Sequence, residues 1–246
     1  VIGGGEPLIC VPVVEQDAQS VIREITYLSQ STADMIEWRV DAFRDFTDYN
    51  AIRSVFEAVA PLLGEKLFLY TFCTAHQGGM AQVKAEQLDD LHDLAAESGC
   101  VDLVDLEFFE EDRPLHKIKR LREMGVSVIA SHHDFEQTPS PEVMKMLLEK
   151  MCAGGADIVK LAVMPQNYKD VLNLLDVTAQ FREENPDTPV ITMSMGSLGG
   201  ISRISGETFG SCVTFGAHEK PSAPGQFAMK ELRQMLDTIH ASSQIQ

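Results

Sequence analysis

The chain has 246 residues, 44% of them hydrophobic and 23% charged, enough to bury the core of one barrel-sized domain or of two small ones. A formal net charge of -17 argues against a nucleic-acid or anionic-membrane partner, and no apolar run reaches the roughly eighteen residues that a membrane-spanning helix needs. Five cysteines (Cys10, Cys73, Cys100, Cys152, Cys212) are odd in number and widely spaced, with no CxxC pair, which reads as free thiols of a cytoplasmic protein rather than a disulfide or zinc framework. The opening Val1-Ile2-Gly3-Gly4-Gly5 lacks the basic segment of a secretory signal, and a start without methionine is compatible with a trimmed N-terminus.

Short apolar runs alternate with stretches of helical periodicity along the chain. Strands are expected at Leu8 to Val14, Met35 to Asp41, Lys66 to Phe72, Leu103 to Phe109, Ser127 to Phe135, Ala156 to Met164, Val190 to Met195 and Cys212 to Ala217. Between and after them, helix candidates include Asp17 to Ser29, Tyr49 to Ala60, Gln82 to Ser98, Leu115 to Met124, Pro141 to Ala153, Tyr168 to Glu184 and Phe227 to Ala241. Ser140-Pro141 is a helix-start signal, and Gly125 and Gly154-Gly155 are stops. Eight such units in 246 residues fit an α/β fold of the (β/α)8 (TIM) barrel type, with functional residues at the C-terminal ends of the strands. An open doubly wound sheet would call for GxGxxG or GxxxxGK[ST], and neither occurs. With no linker or low-complexity stretch, residues 1–246 are expected to form a single domain.

The polar residues that interrupt these strands are the candidates for chemistry. Lys160 sits in the middle of the apolar run Ala156 to Met164, where a lysine must either reach solvent or lose its proton; a neutral amine there is a nucleophile for a ketone. The plainer alternative is a lysine that snorkels to water or pairs with a carboxylate such as Asp157. Glu37, Arg39 and Asp41 share one face of their strand by period two, forming either an ion network or a grip on substrate hydroxyls and carboxylates. Ser131 and His133 share a face of the fifth strand, opposite His132, and adjacent strand residues cannot easily chelate one ion, so no metal site is expected. The glycine-rich turn Ser194 to Arg203 offers backbone NH groups and Arg203 to an anion, and the loop Gly216 to Gln226 offers Ser222 and Gln226 as a lid.

Taken together, Glu37-Trp38-Arg39-Val40-Asp41, Ser131-His132-His133-Asp134-Phe135, Lys160-Leu161-Ala162-Val163-Met164-Pro165, Ser194-Met195-Gly196 with Ser202-Arg203, and Ser222-Ala223-Pro224-Gly225-Gln226 resemble the type I 3-dehydroquinate dehydratase family across nearly the whole chain. The resemblance implies a (β/α)8 lyase of the shikimate pathway that dehydrates 3-dehydroquinate to 3-dehydroshikimate without metal or other cofactor, acting as a homodimer. It implies Lys160 as the imine-forming residue and His133 as general acid and base. Arg203, Ser222 and Gln226 would hold the substrate carboxylate, and Glu37 and Arg39 the ring hydroxyls. One segment departs from the family pattern Arg-[Ser/Thr]-x-x-Glu-Gly-Gly: here it reads Cys73-Thr74-Ala75-His76-Gln77-Gly78-Gly79. Both charged positions have become neutral, so slower turnover is expected, with Gln77 as a weaker support for His133 that lowers its pKa. The alternative is a paralogue that binds a shikimate-pathway acid and turns it over poorly.

Overall fold

The strands are apolar almost end to end because both of their faces are buried. In the structure, a computed structural model that describes residues 2–244, β1 (Leu8–Val13), β2 (Met35–Arg39), β3 (Leu67–Thr71), β4 (Leu103–Glu107), β5 (Ser127–Asp134), β6 (Ile158–Val163), β7 (Val190–Ser194) and β8 (Val213–Ala217) form one parallel sheet. One face of each strand packs outward against the helices, through residues such as Ile36, Trp38, Phe68, Tyr70, Val104, Leu106, Val159 and Leu161. The other face points inward, where Cys10, Met35, Leu69, Leu103, Ile129, Ile158, Ile191 and Val213 fill the interior. Trp38 anchors the outer layer edge-on against Phe43 and Phe56, with centroids 5.6 and 5.3 Å away.

The helices are α1 (Ala18–Ser29), α2 (Tyr49–Val59), α3 (Ala85–Glu97), α4 (Pro114–Glu123), α5 (Pro141–Ala153) and α6 (Tyr168–Glu184), followed by the one-turn α7 (Gly206–Phe209) and the long α8 (Met229–Ser243). Side-chain caps start several of them: Asp17 accepts from Ser20 N–H, Asp48 from Asn50 and Ala51, and Asn167 from Asp170. Ser140 caps α5 ahead of Pro141, as the sequence signal indicates. Neighbouring strands pair in the order β7-β6-β5-β4-β3-β2-β1-β8, and the ring closes by a single bridge between Val190 and Ser211. There Cys212 N–H donates to the Val190 carbonyl at 2.8 Å, and the Ser211 hydroxyl accepts from Thr192 N–H at 3.0 Å. The result is a (β/α)8 barrel.

The N-terminal rim repeats one device. Asp34, Asp102 and Asp157 each precede an even-numbered strand, and each carboxylate accepts from a backbone N–H of the preceding strand, from Ile9, Phe68 and Val128 respectively, at 2.8 Å in all cases. Those bonds pin the register of β2, β4 and β6, so the third residue after each aspartate points inward at a common height. These residues are Glu37, Asp105 and Lys160.

Three expectations need correction. The second strand ends at Arg39, and Asp41 lies in the 3-10 turn Val40–Ala42, so Asp41 does not extend a strand face by period two. Phe227 and Ala228 are not the start of the last helix; they form β9 and pair with Gly216 and Ala217, carrying the chain back to the barrel rim before α8 begins. The third helix also starts three residues late, at Ala85 rather than Gln82. No helix among the described residues is long and apolar enough to cross a membrane.

Candidate active site

Above the apolar floor, the inward-facing row turns polar. A cavity with an empty volume of about 470 Å³, mouth included, opens at the C-terminal end of the barrel and is lined by Glu37, Arg39, Thr71, Cys73, His133, Lys160, Phe215, Ser222 and Gln226 among others. Six of the candidate residues therefore share one pocket. Arg203 and Gln77 stand behind its wall, outside the lining set.

Lys160 is 4% exposed, so it does not reach solvent. Nor has it lost its proton. Nζ lies 3.1 Å from Oδ2 of Asp105, and the other oxygen of Asp105 accepts from the Ser131 hydroxyl at 2.5 Å. Burial alone would depress the lysine pKa, but Asp105 and then Glu37 outweigh it and hold the ammonium above its ordinary value. Asp105 moves the opposite way: burial would raise it, but chiefly Lys160 draws it below the usual carboxylate range. The ammonium also faces the Phe215 ring, 4.7 Å from its centroid. Of the expected outcomes, pairing with a carboxylate is the one realised, but on Asp105, a residue not singled out from the sequence. The partner is not Asp157, which caps the strand at the opposite rim.

His133 occupies the next inward position after Ser131 on β5, and Ser131 stands in register with Lys160. Its ring stacks on Phe135 at 5.8 Å, and its buried Nδ1 has no hydrogen-bond partner. Burial first, and the Lys160 charge second, push its pKa down to about 3, so the imidazole is neutral at physiological pH. His132 points away, edge-on to Phe109.

Glu37 accepts from the Thr71 hydroxyl at 2.7 Å, and burial raises its pKa against the pull of Lys160 and Arg39. Arg39 grips Asp41 with two bonds, Nε to Oδ1 at 2.7 Å and Nη2 to Oδ2 at 2.8 Å, which leaves Nη1 for another acceptor. The same Asp41 carboxylate takes the backbone N–H groups of Cys73 at 3.2 Å and Met80 at 3.0 Å, tying the loop after β3 to the pocket wall.

That loop answers where the neutral exchanges go. Cys73 is buried in the pocket, its thiol donates to the Gln77 carbonyl at 3.1 Å, and burial pushes its pKa up to about 12, so it is an uncharged thiol. Gln77 Oε1 accepts from the backbone N–H of His133 at 2.7 Å while Nε2 donates to Glu110 at 3.1 Å. It holds the strand under the histidine, not the ring. The histidine pKa is indeed lowered, but the causes are burial and Lys160. His76 is exposed and lines a separate groove with Gln82 and Glu110, so it brings no positive charge to the pocket.

Arg203 is 2% exposed. Its Nη2 donates to the Pro224 carbonyl at 2.9 Å, but Nε and Nη1 are buried with no partner, and burial lowers its pKa to about 10. Pro224 also accepts from Gly196 N–H at 3.1 Å. Gly225 has φ +83°, and a Cβ there would lie 2.5 Å from the Gly196 carbonyl oxygen, so only glycine lets the lid lie this close to the turn after β7. Within the lid, Gln226 Oε1 accepts from Ser222 N–H at 2.9 Å and Gln226 Nε2 donates to the Ser222 hydroxyl at 3.0 Å.

Sequence reasoning missed Asp105 and Thr71, and also Glu107, which accepts from both the N–H and the hydroxyl of Thr74. The signal for Asp105 and Glu107 was there: in Leu103-Val104-Asp105-Leu106-Glu107 two acids alternate with apolar residues in a buried strand. No group of three or more His, Cys, Asp or Glu able to hold a metal occurs among the described residues.

Residues 9–243 match the type I 3-dehydroquinase family. A 3-dehydroquinate dehydratase of Syntrophotalea carbinolica is 42% identical over 241 residues, covering 98% of this chain and 95% of the relative. One from Listeria welshimeri is 42% identical over 239 residues, 97% of this chain and 94% of its own. The crystal structure of the type I 3-dehydroquinate dehydratase of Clostridium difficile with covalently modified comenic acid superposes with a TM-score of 0.94 at 38% identity, covering 98% of this chain and 95% of that one. The Geobacillus kaustophilus 3-dehydroquinate dehydratase gives 0.93 at 36% identity, with 98% and 93% covered. Full-length similarity in sequence and in fold places this chain in the type I 3-dehydroquinase family.

Proposed function

We propose that this protein dehydrates 3-dehydroquinate to 3-dehydroshikimate through an imine on Lys160, with His133 moving the protons. The observation that carries the reading is a buried lysine facing the same pocket as a neutral histidine from the adjacent strand. Lys160 rests as an ammonium, so it must lose a proton before attacking the ketone. His133, neutral and with an unpartnered Nδ1, is the base that shares the pocket. Because burial and the Lys160 charge hold its pKa at about 3, the transfer is uphill and is expected to limit imine formation. The imine makes the neighbouring C–H acidic; His133 takes that proton, and the enamine then expels the tertiary hydroxyl as water with a proton returned from His133. Hydrolysis of the imine frees the product and Lys160.

The two unpartnered N–H groups of Arg203 suit a carboxylate, which Ser222 and Gln226 would share by turning from one another to the ligand. Glu37 and the free Nη1 of Arg39 suit ring hydroxyls. Cys73 and Gln77 favour a slow enzyme, since neither adds charge where charge develops. We further read residues 1–246 as one domain that acts in the cytoplasm as a homodimer; the five free cysteines suit a reducing compartment. A turnover assay with 3-dehydroquinate tests the assignment. Product formation that disappears in both Lys160→Ala and His133→Ala is expected; a wild-type protein that binds the substrate without turning it over would establish the binding paralogue instead.

A further inference from the structure

At the end of β8 the chain enters the loop carrying Ser222 and Gln226, and the first residue of that loop is held from outside the barrel. His218 Nδ1 lies 2.6 Å from Oε1 of Glu24, and the imidazole stacks on Tyr27 with centroids 4.0 Å apart and planes 12° from parallel. Both partners belong to α1. The side chains of His218 and Glu24 are 22% and 16% exposed, so this contact is more enclosed than an ordinary surface ion pair such as Lys220 with Glu15, 3.4 Å apart with the lysine 61% exposed. At the other end, the Pro224 carbonyl is fixed by Arg203 and Gly196, and Phe227 pairs with β8.

We propose that His218, Glu24 and Tyr27 form a latch that sets how the lid presents Ser222 and Gln226 to the pocket, which makes His218 and Glu24 positioning residues for substrate binding. The hydrogen bond fixes the distance of the loop from α1, and the stack fixes the plane of the ring. Losing either lets the loop lift at its outer limb while the Pro224 end stays docked. The inference rests on the reading of Ser222 and Gln226 as substrate-binding groups. Because those groups would hold the substrate carboxylate, which does not change charge in the reaction, a misplaced lid weakens ground state and transition state alike and raises KM with little effect on kcat.

Three variants separate the parts of the latch. His218→Phe keeps the stack and removes the hydrogen bond, His218→Asn keeps a donor and removes the stack, and Glu24→Gln removes the acceptor's charge. Each is expected to raise KM for 3-dehydroquinate about two- to tenfold, the worth of one net hydrogen bond, with Tm unchanged. The Asn variant should recover part of what Phe loses. Unchanged KM in all three, or kcat and Tm falling together, overturns the latch. Hydrogen exchange of the ligand-free protein decides the point without turnover: amides of 219–226 exchange faster in His218→Phe if the latch holds the loop, and at the wild-type rate if it does not. Should the wild-type protein fail to act on 3-dehydroquinate, the exchange result still judges the latch while the substrate assignment falls.

Discussion

Two buried cations face the same chemistry in different ways. Lys160 is compensated: Asp105 pairs with it, Ser131 holds Asp105, and Glu37 adds a further negative field, so its pKa stands above the ordinary lysine value. Arg203 is not. One nitrogen reaches a carbonyl, two have no partner, and its pKa falls to about 10. A charge already satisfied has no use for an anionic ligand, whereas a buried guanidinium with open donors is stabilised by one. The barrel therefore holds its two buried cations at opposite extremes of the same electrostatic problem, as the proposed roles of amine nucleophile and carboxylate receptor require. His92 shows a third solution. Buried on the outer layer against Tyr70, it gives up its charge, with burial pushing its pKa down to about 4.

Each side of this contrast can be broken. Lys160→Ala should abolish turnover outright, as checked by product formation, because no other buried amine lines the pocket. Asp105→Asn should cost about 3–5 kcal/mol of stability in denaturant unfolding, since it leaves the Lys160 ammonium buried without its counter-charge. The same change should lower the lysine pKa, moving imine formation toward lower pH.

Like His133, His92 contributes to the acid limb. Its folded pKa is depressed, so below the unfolded value near 6.5 the unfolded chain binds a proton that the folded chain refuses. The stability His92 contributes is then lost as pH falls from about 6.5 to 4, by up to about 3 kcal/mol. His133 adds a loss of the same sign, Glu107 with its raised pKa of about 7 opposes both, and His92→Phe should remove its own share of the slope in unfolding curves. Arg203→Met should raise KM about ten- to hundredfold, the worth of a charge-assisted contact, while leaving thermal stability unchanged or higher, because it removes an uncompensated buried charge.

The smallest effect concerns Gln77. Gln77→Glu alone sets a carboxylate against Glu110, where the amide now donates at 3.1 Å, and should lower Tm. Paired with Glu110→Gln, it restores the donor and acceptor match and brings a negative charge beneath His133. That double variant should raise kcat a few-fold, about 1 kcal/mol or less, with the His133 pKa moving upward in a pH-rate profile.

Much of the fold could be read in the chain because its strands alternate so regularly with helices that the barrel order follows from counting, and Ser140-Pro141 marked the start of α5 correctly. The motif residues Glu37, Arg39, His133, Lys160, Ser222 and Gln226 do converge on one pocket. What escaped was pairing across strands. Asp105 lies 55 positions from Lys160 and reaches it past β5, where Ser131 is the in-register neighbour, so no local pattern joins them. A usable hint was the repeated aspartate before β2, β4 and β6, which puts Glu37, Asp105 and Lys160 at equal steps from the rim. The direction of Gln77 was likewise invisible: a glutamine near a histidine can serve ring or backbone, and only the loop's anchoring to Asp41 and Glu107 decides for the backbone.

The measurement closest to the central claim is the intact mass of the protein after borohydride reduction in the presence of 3-dehydroquinate, with Lys160→Ala alongside. One covalent adduct is expected on the wild-type chain, at least part of it at the mass of the dehydrated ligand, and none on the variant. A folded wild-type protein that shows no adduct, or an adduct that persists in Lys160→Ala, would contradict the imine on Lys160.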